Sequence, residues 1–292
     1  MAARTSITKA HWNLIVNRIS EDRCVPFLGA GVNVSDAGRN YQGLPLGCGV
    51  ASKLIEEVSD FKGRDRENLA RIALEYEFET DRPQLISGLR TILPYENCKP
   101  SPLLKNLASL PFKLIITTNY DCLMEQALSD EGKQLEPLVQ PIEGFLNIEE
   151  TQKLFDRLSI YDKVIVYKIH GTFDENNEYP VIITEDDYIE FLTVAGRREE
   201  RIGIPQFIES RITPSTILFL GYSLEDWDFR TIYKGLIEKI NPHRAFKSFA
   251  IQKDPNDFWV EFWSKKLVEI YNVDLYDFAD ELTQRCKAAG IP

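Results

Sequence analysis

The chain has 292 residues, 43% of them hydrophobic and 27% charged, the balance of a globular protein large enough to bury roughly three quarters of its surface. A formal net charge of -11 excludes a protein whose main task is gripping a nucleic-acid backbone, which needs a dominant basic surface, but leaves room for a small phosphate ligand held by a few local donors. No apolar run approaches the roughly 20 residues needed to span a bilayer, and Met1 to Lys9 lacks the apolar core of a signal peptide, so a cytoplasmic protein with no membrane partner is expected.

Apolar residues at Trp12, Ile15, Val16 and Ile19 recur at helical spacing and predict a helix over Ile7 to Ile19. Cys24 to Leu28 reads as a short buried strand that runs into Gly29-Ala30-Gly31. These glycines permit a tight turn close to a ligand, and a following helix would offer unpaired amides and its positive dipole end to a phosphate. A Gly-x-Gly after a strand also serves many α/β proteins as a plain tight connection. Asn33 to Gly49 is polar, glycine-rich and long for a connection, which suits a lid or a surface excursion. Helical patterns over Val50 to Val58, Glu67 to Phe78, Pro83 to Leu93 and Pro100 to Ala108 predict a helical insert at about residues 50–110.

Phe112 to Ile116 predicts a second strand, ended by Thr117, Thr118, Asn119, Tyr120 and Asp121, with Asp121 placed to cap a helix over Cys122 to Leu128. Pro137 to Leu158 reads as a hairpin or loop plus a short helix. Lys163 to Ile169 predicts a strand that delivers His170 and Gly171, followed by a short strand at Val181 to Ile183 and a helix over Asp186 to Leu192. The charged run Arg197 to Arg201 reads as a solvated loop. Thr216 to Leu220 predicts a strand ending in Gly221, Tyr222, Ser223 and Leu224, and Asp226 to Ile240 a helix stopped by Pro242. A strand at Ser248 to Gln252, a helix over Phe258 to Leu267, a short strand at Leu267 to Tyr271 and a helix over Asp277 to Ala288 complete the chain.

Five apolar strands alternating with helices predict an α/β fold, a doubly wound Rossmann-like parallel sheet with an inserted helical lobe, in a single domain over 1–292. That class binds ligands beyond the carboxyl ends of its strands, and Gly29 to Gly31, Thr118 to Asp121, His170 with Gly171, and Gly221 to Ser223 all fall there. His170 alone among the three histidines ends a strand, and at an ordinary pKa near 6.5 it would accept a proton at neutral pH. The five cysteines, at 24, 48, 98, 122 and 286, include no Cys-x-x-Cys pair, so buried thiols are expected and no structural zinc.

Gly29-Ala30-Gly31-Val32, Thr118-Asn119-Tyr120-Asp121, Ile169-His170-Gly171 and Gly221-Tyr222-Ser223 stand in the order and roughly the spacing of the sirtuin superfamily. The chain most resembles the zinc-less, sirtuin-like NAD hydrolases of bacterial anti-phage defence, where a segment like Ile183-Thr184-Glu185-Asp186-Asp187-Tyr188 also follows the histidine. The resemblance implies NAD+ as substrate, with Gly29, Ala30, Gly31 and Val32 at the pyrophosphate. It implies Asn119 orienting water or ribose beside Thr118, Asp121 at the nicotinamide amide, His170 as base, and Gly221 and Ser223 toward the adenosine. A plain helix cap at Asp121 and an N-cap at Ser223 are the alternative readings. Sirtuin deacylases carry two Cys-x-x-Cys pairs after the histidine, where this chain has only Cys286, and a glutamine where it has Thr118. Gly43-Leu44-Pro45 is a fragment of their Gly-Ile-Pro-Asp-Phe-Arg run. These departures point away from acyl-lysine chemistry. The expectation is an NAD+ glycohydrolase that depletes NAD+ in anti-phage defence, held off until needed, with activity that depends on homo-oligomerisation or on a separate sensor or ATPase chain. A deacylase or ADP-ribosyltransferase, and a non-catalytic module that binds NAD or ADP-ribose, are the other two readings.

Overall fold

The computed structural model describes residues 3–57, 67–139, 163–173, 181–195, 204–238 and 245–291. Among them, β1 (Cys24–Leu28), β2 (Leu114–Thr117), β3 (Leu135–Val139), β4 (Val164–Lys168), β5 (Thr216–Leu220), β6 (Ser248–Ile251) and β7 (Val268–Tyr271) form one sheet in the order β3-β4-β2-β1-β5-β6-β7. Every neighbouring pair is parallel. The helices are α1 (Lys9–Ser20), α2 (Gly47–Glu57), α3 (Leu69–Glu79), α4 (Arg82–Ile92), α5 (Pro102–Ser109), α6 (Leu123–Asp130), α7 (Glu185–Ala195), α8 (Gln206–Ile212), α9 (Trp227–Ile232), α10 (Asp257–Ser264) and α11 (Leu275–Ala288).

A strand buried on both faces needs apolar residues at every position, and period-two alternation then sends them to two different layers. Leu28, Ile115, Val166, Leu218 and Leu220 pack toward α1, α5, α6 and α11. Phe27, Ile116, Tyr167, Ile217 and Phe219 pack toward α8, α9, α10 and the π-helical turn Tyr233–Glu238 that continues α9. Helices α2, α3 and α4 have a core of their own, in which Val50, Leu54, Ile72, Tyr76, Leu85 and Leu89 meet Phe173, Val181 and Ile183. That lobe therefore leans on the segment after β4. From β1 the chain runs to one side of the sheet, and with β5 it returns on the other. The strand order thus reverses between β1 and β5, where a doubly wound sheet opens its crevice.

Most predicted elements form within a residue or two of their expected limits. Leu135–Val139 is a parallel edge strand rather than part of a hairpin or loop, and Glu136 and Pro137 hid it: such residues suit a half-exposed edge strand. Val181 to Ile183 is not part of the sheet; Ile182 N–H donates to the carbonyl of His170 (3.0 Å). The glycine turn leads into a single 3-10 turn, Ala30–Asn33, instead of a long helix. The connection after it folds back on α11: Arg39 pairs with Asp36 (2.8 Å), Asp277 (2.6 Å) and Asp280 (3.1 Å), and the Tyr276 hydroxyl donates to Val34 O (2.6 Å). Arg197 to Arg201, Pro242 and most of Pro137 to Leu158 lie outside the described residues.

Candidate active site

Three glycines meet at the point of strand reversal. Gly29 N–H donates to Leu220 O and Gly31 N–H to Gly221 O, each at 2.9 Å. A Cβ on Gly29 would stand 2.8 Å from Gly221 O and from the Tyr222 ring, and one on Gly31 2.8 Å from Gly221 Cα. Gly221 has φ +80°, and its Cβ would lie 2.5 Å from Val32 N. Backbone therefore rests on backbone, a contact that no side chain would allow. With Val32 N–H donated to Gly29 O (3.2 Å), the amides of Gly29, Gly31 and Val32 are all engaged within the fold.

The segment after β2 is tied to this junction. Thr118 N–H donates to Leu28 O (3.1 Å), and its hydroxyl lies 2.9 Å from the Tyr222 hydroxyl, which itself donates to Leu28 O (2.9 Å). Burial holds the Tyr222 phenol well above its ordinary pKa, so it remains a neutral donor. Asn119 Nδ2 donates to Gly29 O (3.2 Å), and its backbone N–H to Thr117 Oγ1 (3.0 Å). Asp121 divides its carboxylate: Oδ1 accepts from Leu123 N–H (3.0 Å) at the start of α6, and Oδ2 accepts from Asn33 Nδ2 (3.1 Å). Burial raises the Asp121 pKa, and Lys168 is the chief influence in the other direction.

His170 is only 2% exposed. Its ring stands edge-on to Tyr188 (5.1 Å between centroids) and Phe191 (5.7 Å), both on α7. Nε2 is buried and has no hydrogen-bond partner among the described residues. This apolar cage lowers the pKa to about 3, so the expectation of an ordinary, near-neutral histidine is not met. Among the described residues no hydrogen bond joins the His170 ring to Asn119 or Asp121. The two segments are tied together instead through Tyr120, which lies between Asn119 and Asp121. The hydroxyls of Tyr120 and Thr172 donate to Ile182 O (2.6 Å) and Tyr120 O (3.0 Å), and Phe173 N–H donates to Tyr120 O (3.2 Å).

The Ile183 to Tyr188 motif now has a local cause. Thr184 Oγ1 accepts from Asp187 N–H (3.1 Å), and Asp187 Oδ2 accepts from the N–H groups of Ile183 and Thr184 (both 2.9 Å), a reciprocal cap that starts α7 and aims Tyr188 at His170. Arg82 of α4 reaches Asp187 at 2.9 Å and also donates to Val181 O, locking the lobe to this cap. Ser223 does not cap α9. Asp226 precedes that helix, donates its N–H to Ser223 O (3.1 Å) and takes a hydrogen bond from the Ser223 side chain.

Sequence reasoning missed two residues here. Asn33, 1% exposed, holds Asp121 while its own Oδ1 has no partner among the described residues. Lys168, 1% exposed, donates to the main-chain carbonyl of Asp121 and pairs with Glu125 Oε1 (3.1 Å). The second had a legible signal, since a lysine closing the apolar run Val-Ile-Val-Tyr must find partners when the run is buried.

The model of the SIR2-like domain family matches residues 113–276, more than half of the chain, and includes the segments that carry Asn119, Asp121, His170 and Gly221. The chain belongs to the SIR2-like domain family. A relative named NAD(+) hydrolase ThsA, from Cytobacillus dafuensis, is 27% identical over 217 residues, covering 73% of this chain and 38% of that protein. ThsA of Bacillus cereus (strain MSX-D12) is 26% identical over 217 residues, 71% of this chain and 38% of that protein. Defense-associated sirtuin 2 of Bacillus subtilis is 26% identical over 143 residues, 49% of this chain and 12% of that protein. This SIR2-like chain thus matches well under half the length of these relatives. A Sir2 homologue mutant solved with ADP-ribose shares the fold at a TM-score of 0.51 and 13% identity, over 97% of this chain and 98% of its own. Among the described residues no three His, Cys, Asp or Glu side chains come together as a metal ion would need, and no helix is long and apolar enough to cross a membrane.

Proposed function

We propose that this SIR2-like protein is an NAD+ glycohydrolase that releases nicotinamide and ADP-ribose. The observation that carries the reading is the joining of Asn119 to Gly29, and of Thr118 to Tyr222, at the strand reversal, with Asp121 and His170 on the same sheet edge. The names of the ThsA relatives support it. Cleaving the ribosyl bond leaves positive charge on the sugar, so the site has to grip the leaving carboxamide, place a nucleophile and exclude bulk water. Asp121 has acceptor capacity for the carboxamide N–H beyond its bonds to Leu123 and Asn33. Asn119 orients the attacking water, and the side-chain-free backbone of Gly29 to Gly31 lets the pyrophosphate lie close. Ala30 and Val32 border that surface, with Gly221 and Ser223 on the adenosine side. In the free chain His170 is caged and neutral, so on this reading NAD+ binding has to expose Nε2 to the water, and the negative phosphates of the substrate raise its pKa so that it takes the proton lost by water. The protein would work in the cytoplasm, without zinc, as an NAD-depleting effector of anti-phage defence. Such an effector has to be held off until it is needed, and its activity would depend on homo-oligomerisation or on a separate sensor or ATPase chain.

Incubation with NAD+, with and without an acyl-lysine peptide, followed by chromatography, tests this. Nicotinamide and free ADP-ribose in equal amounts are expected, whether or not the peptide is present. Peptide-dependent turnover would establish a deacylase, ADP-ribose attached to protein a transferase, and tight binding with no cleavage a non-catalytic module.

A further inference from the structure

One buried charge is not used by the chemistry above. Lys168 ends β4 two residues before His170, and taking an ammonium out of water is costly unless it is both paired and hydrogen-bonded. Here it is both. Its Nζ lies 3.1 Å from Glu125 Oε1, whose side chain is only 14% exposed, and it donates to the main-chain carbonyl of Asp121. The amine thus reaches from the sheet across the first turn of α6, directly beneath the residue assigned to the nicotinamide carboxamide.

We propose that Lys168 is a positioning residue of the site: braced by Glu125, it fixes the peptide of Asp121 and keeps the Asp121 carboxylate ionised, so that both oxygens remain acceptors toward the substrate. This rests on the NAD+ reading of the site and deepens it. The hydrogen bond from Lys168 sets the Asp121 carbonyl, while Leu123 N–H and Asn33 Nδ2 set the two carboxylate oxygens. The titratable groups facing this carboxylate are Tyr41 from the connection after the glycine turn, Tyr95 and Cys98 ahead of α5, Cys122 and Glu125 at the start of α6, and Lys168 from β4. Burial raises Tyr41, Tyr95, Cys98 and Cys122, which keeps them neutral, and Glu125 pushes Asp121 further up. Lys168 is the cation in that set, and it opposes the burial of Asp121.

The test is the pH profile of nicotinamide release and, separately, of NAD+ binding by calorimetry, with the full chain. In Lys168→Met the acid limb of both profiles should move up by about one to three pH units, because an opposite charge beside the carboxylate is lost. Activity should recover on the alkaline side, and Lys168→Arg should hold the limb near its wild-type place. With Asp121→Asn as background, Lys168→Met should move no limb. A limb that stays put while amplitude or melting temperature falls marks a merely structural lysine and overturns the proposal. If Lys168→Met does not fold, the double variant Lys168→Met/Glu125→Leu, which removes both partners of the ion pair together, replaces it and should still move the limb upward. Its failure to fold would also overturn the proposal, since the ion pair would then serve the fold alone. Wild-type binding without cleavage refutes only the hydrolase reading and leaves the binding profile to decide on Lys168. No NAD+ binding by the wild type would refute both.

Discussion

At the scale of single residues, the junction of Gly29, Gly31 and Gly221 leaves no room for a side chain. Gly221→Ala places a Cβ 2.5 Å from Val32 N at a φ of +80°. The left-handed conformation alone costs roughly 1–2 kcal/mol, so urea denaturation should show a larger loss than that, together with lost NAD+ binding. His170 makes a different prediction. Its folded pKa of about 3 lies below the value near 6.5 expected in the unfolded chain, so between those values the unfolded state binds more protons. The stabilising effect is complete above pH 6.5 and is lost as pH falls, at about 1.4 kcal/mol per pH unit. Asp121, with its raised pKa, acts in the opposite sense over its own range, so the comparison has to be with a His170 variant. His170→Phe should lose about 2–3 kcal/mol less than wild type between pH 7 and about pH 4.5. An equal loss would show that the imidazole is not held neutral.

At the scale of elements, α7 is the part that turns His170 from an exposed loop residue into a caged one. Thr184→Ala removes the cap and should cost about 0.5–2 kcal/mol. The Arg82→Ala change cuts the link between the lobe and Asp187 and should lower the melting temperature in the same direction. Both should make His170 more basic, which NMR titration of the ring would read; an unchanged ring would refute the cage. The sequence showed β1, β2, β4, β5 and β6 plainly, because strands apolar on both faces leave unbroken Val, Ile, Leu and Phe runs. It concealed β3, whose edge position admits Glu136 and Pro137. The gathering of Asn119, Asp121, His170 and Gly221 at strand ends was legible as well. The Asn33 contact to Asp121 spans 88 positions, and no local pattern encodes it. Neither did spacing reveal the His170 cage, since Tyr188 and Phe191 look like ordinary core positions of a helix until the cap at Thr184 orients them.

At the scale of the whole molecule, the sheet reversal brings together segments from residue 29 to residue 223, so the proposed activity would belong to the complete α/β unit and not to any one motif. Turnover per chain should depend on concentration or on an added partner chain, as sedimentation alongside the assay would reveal; a dilute monomer with full turnover would contradict that. Emission spectrometry of the purified protein should find no stoichiometric zinc. The central claim is tested most directly by the rate of nicotinamide release from NAD+, measured for the wild type and for His170→Ala at equal concentration with folding checked by circular dichroism. The expected result is release by the wild type and a loss of about 10² or more in His170→Ala, with NAD+ binding retained. A folded His170→Ala protein that binds NAD+ and releases nicotinamide at the wild-type rate would contradict the mechanism, and a wild type that binds NAD+ without releasing nicotinamide would contradict the function itself.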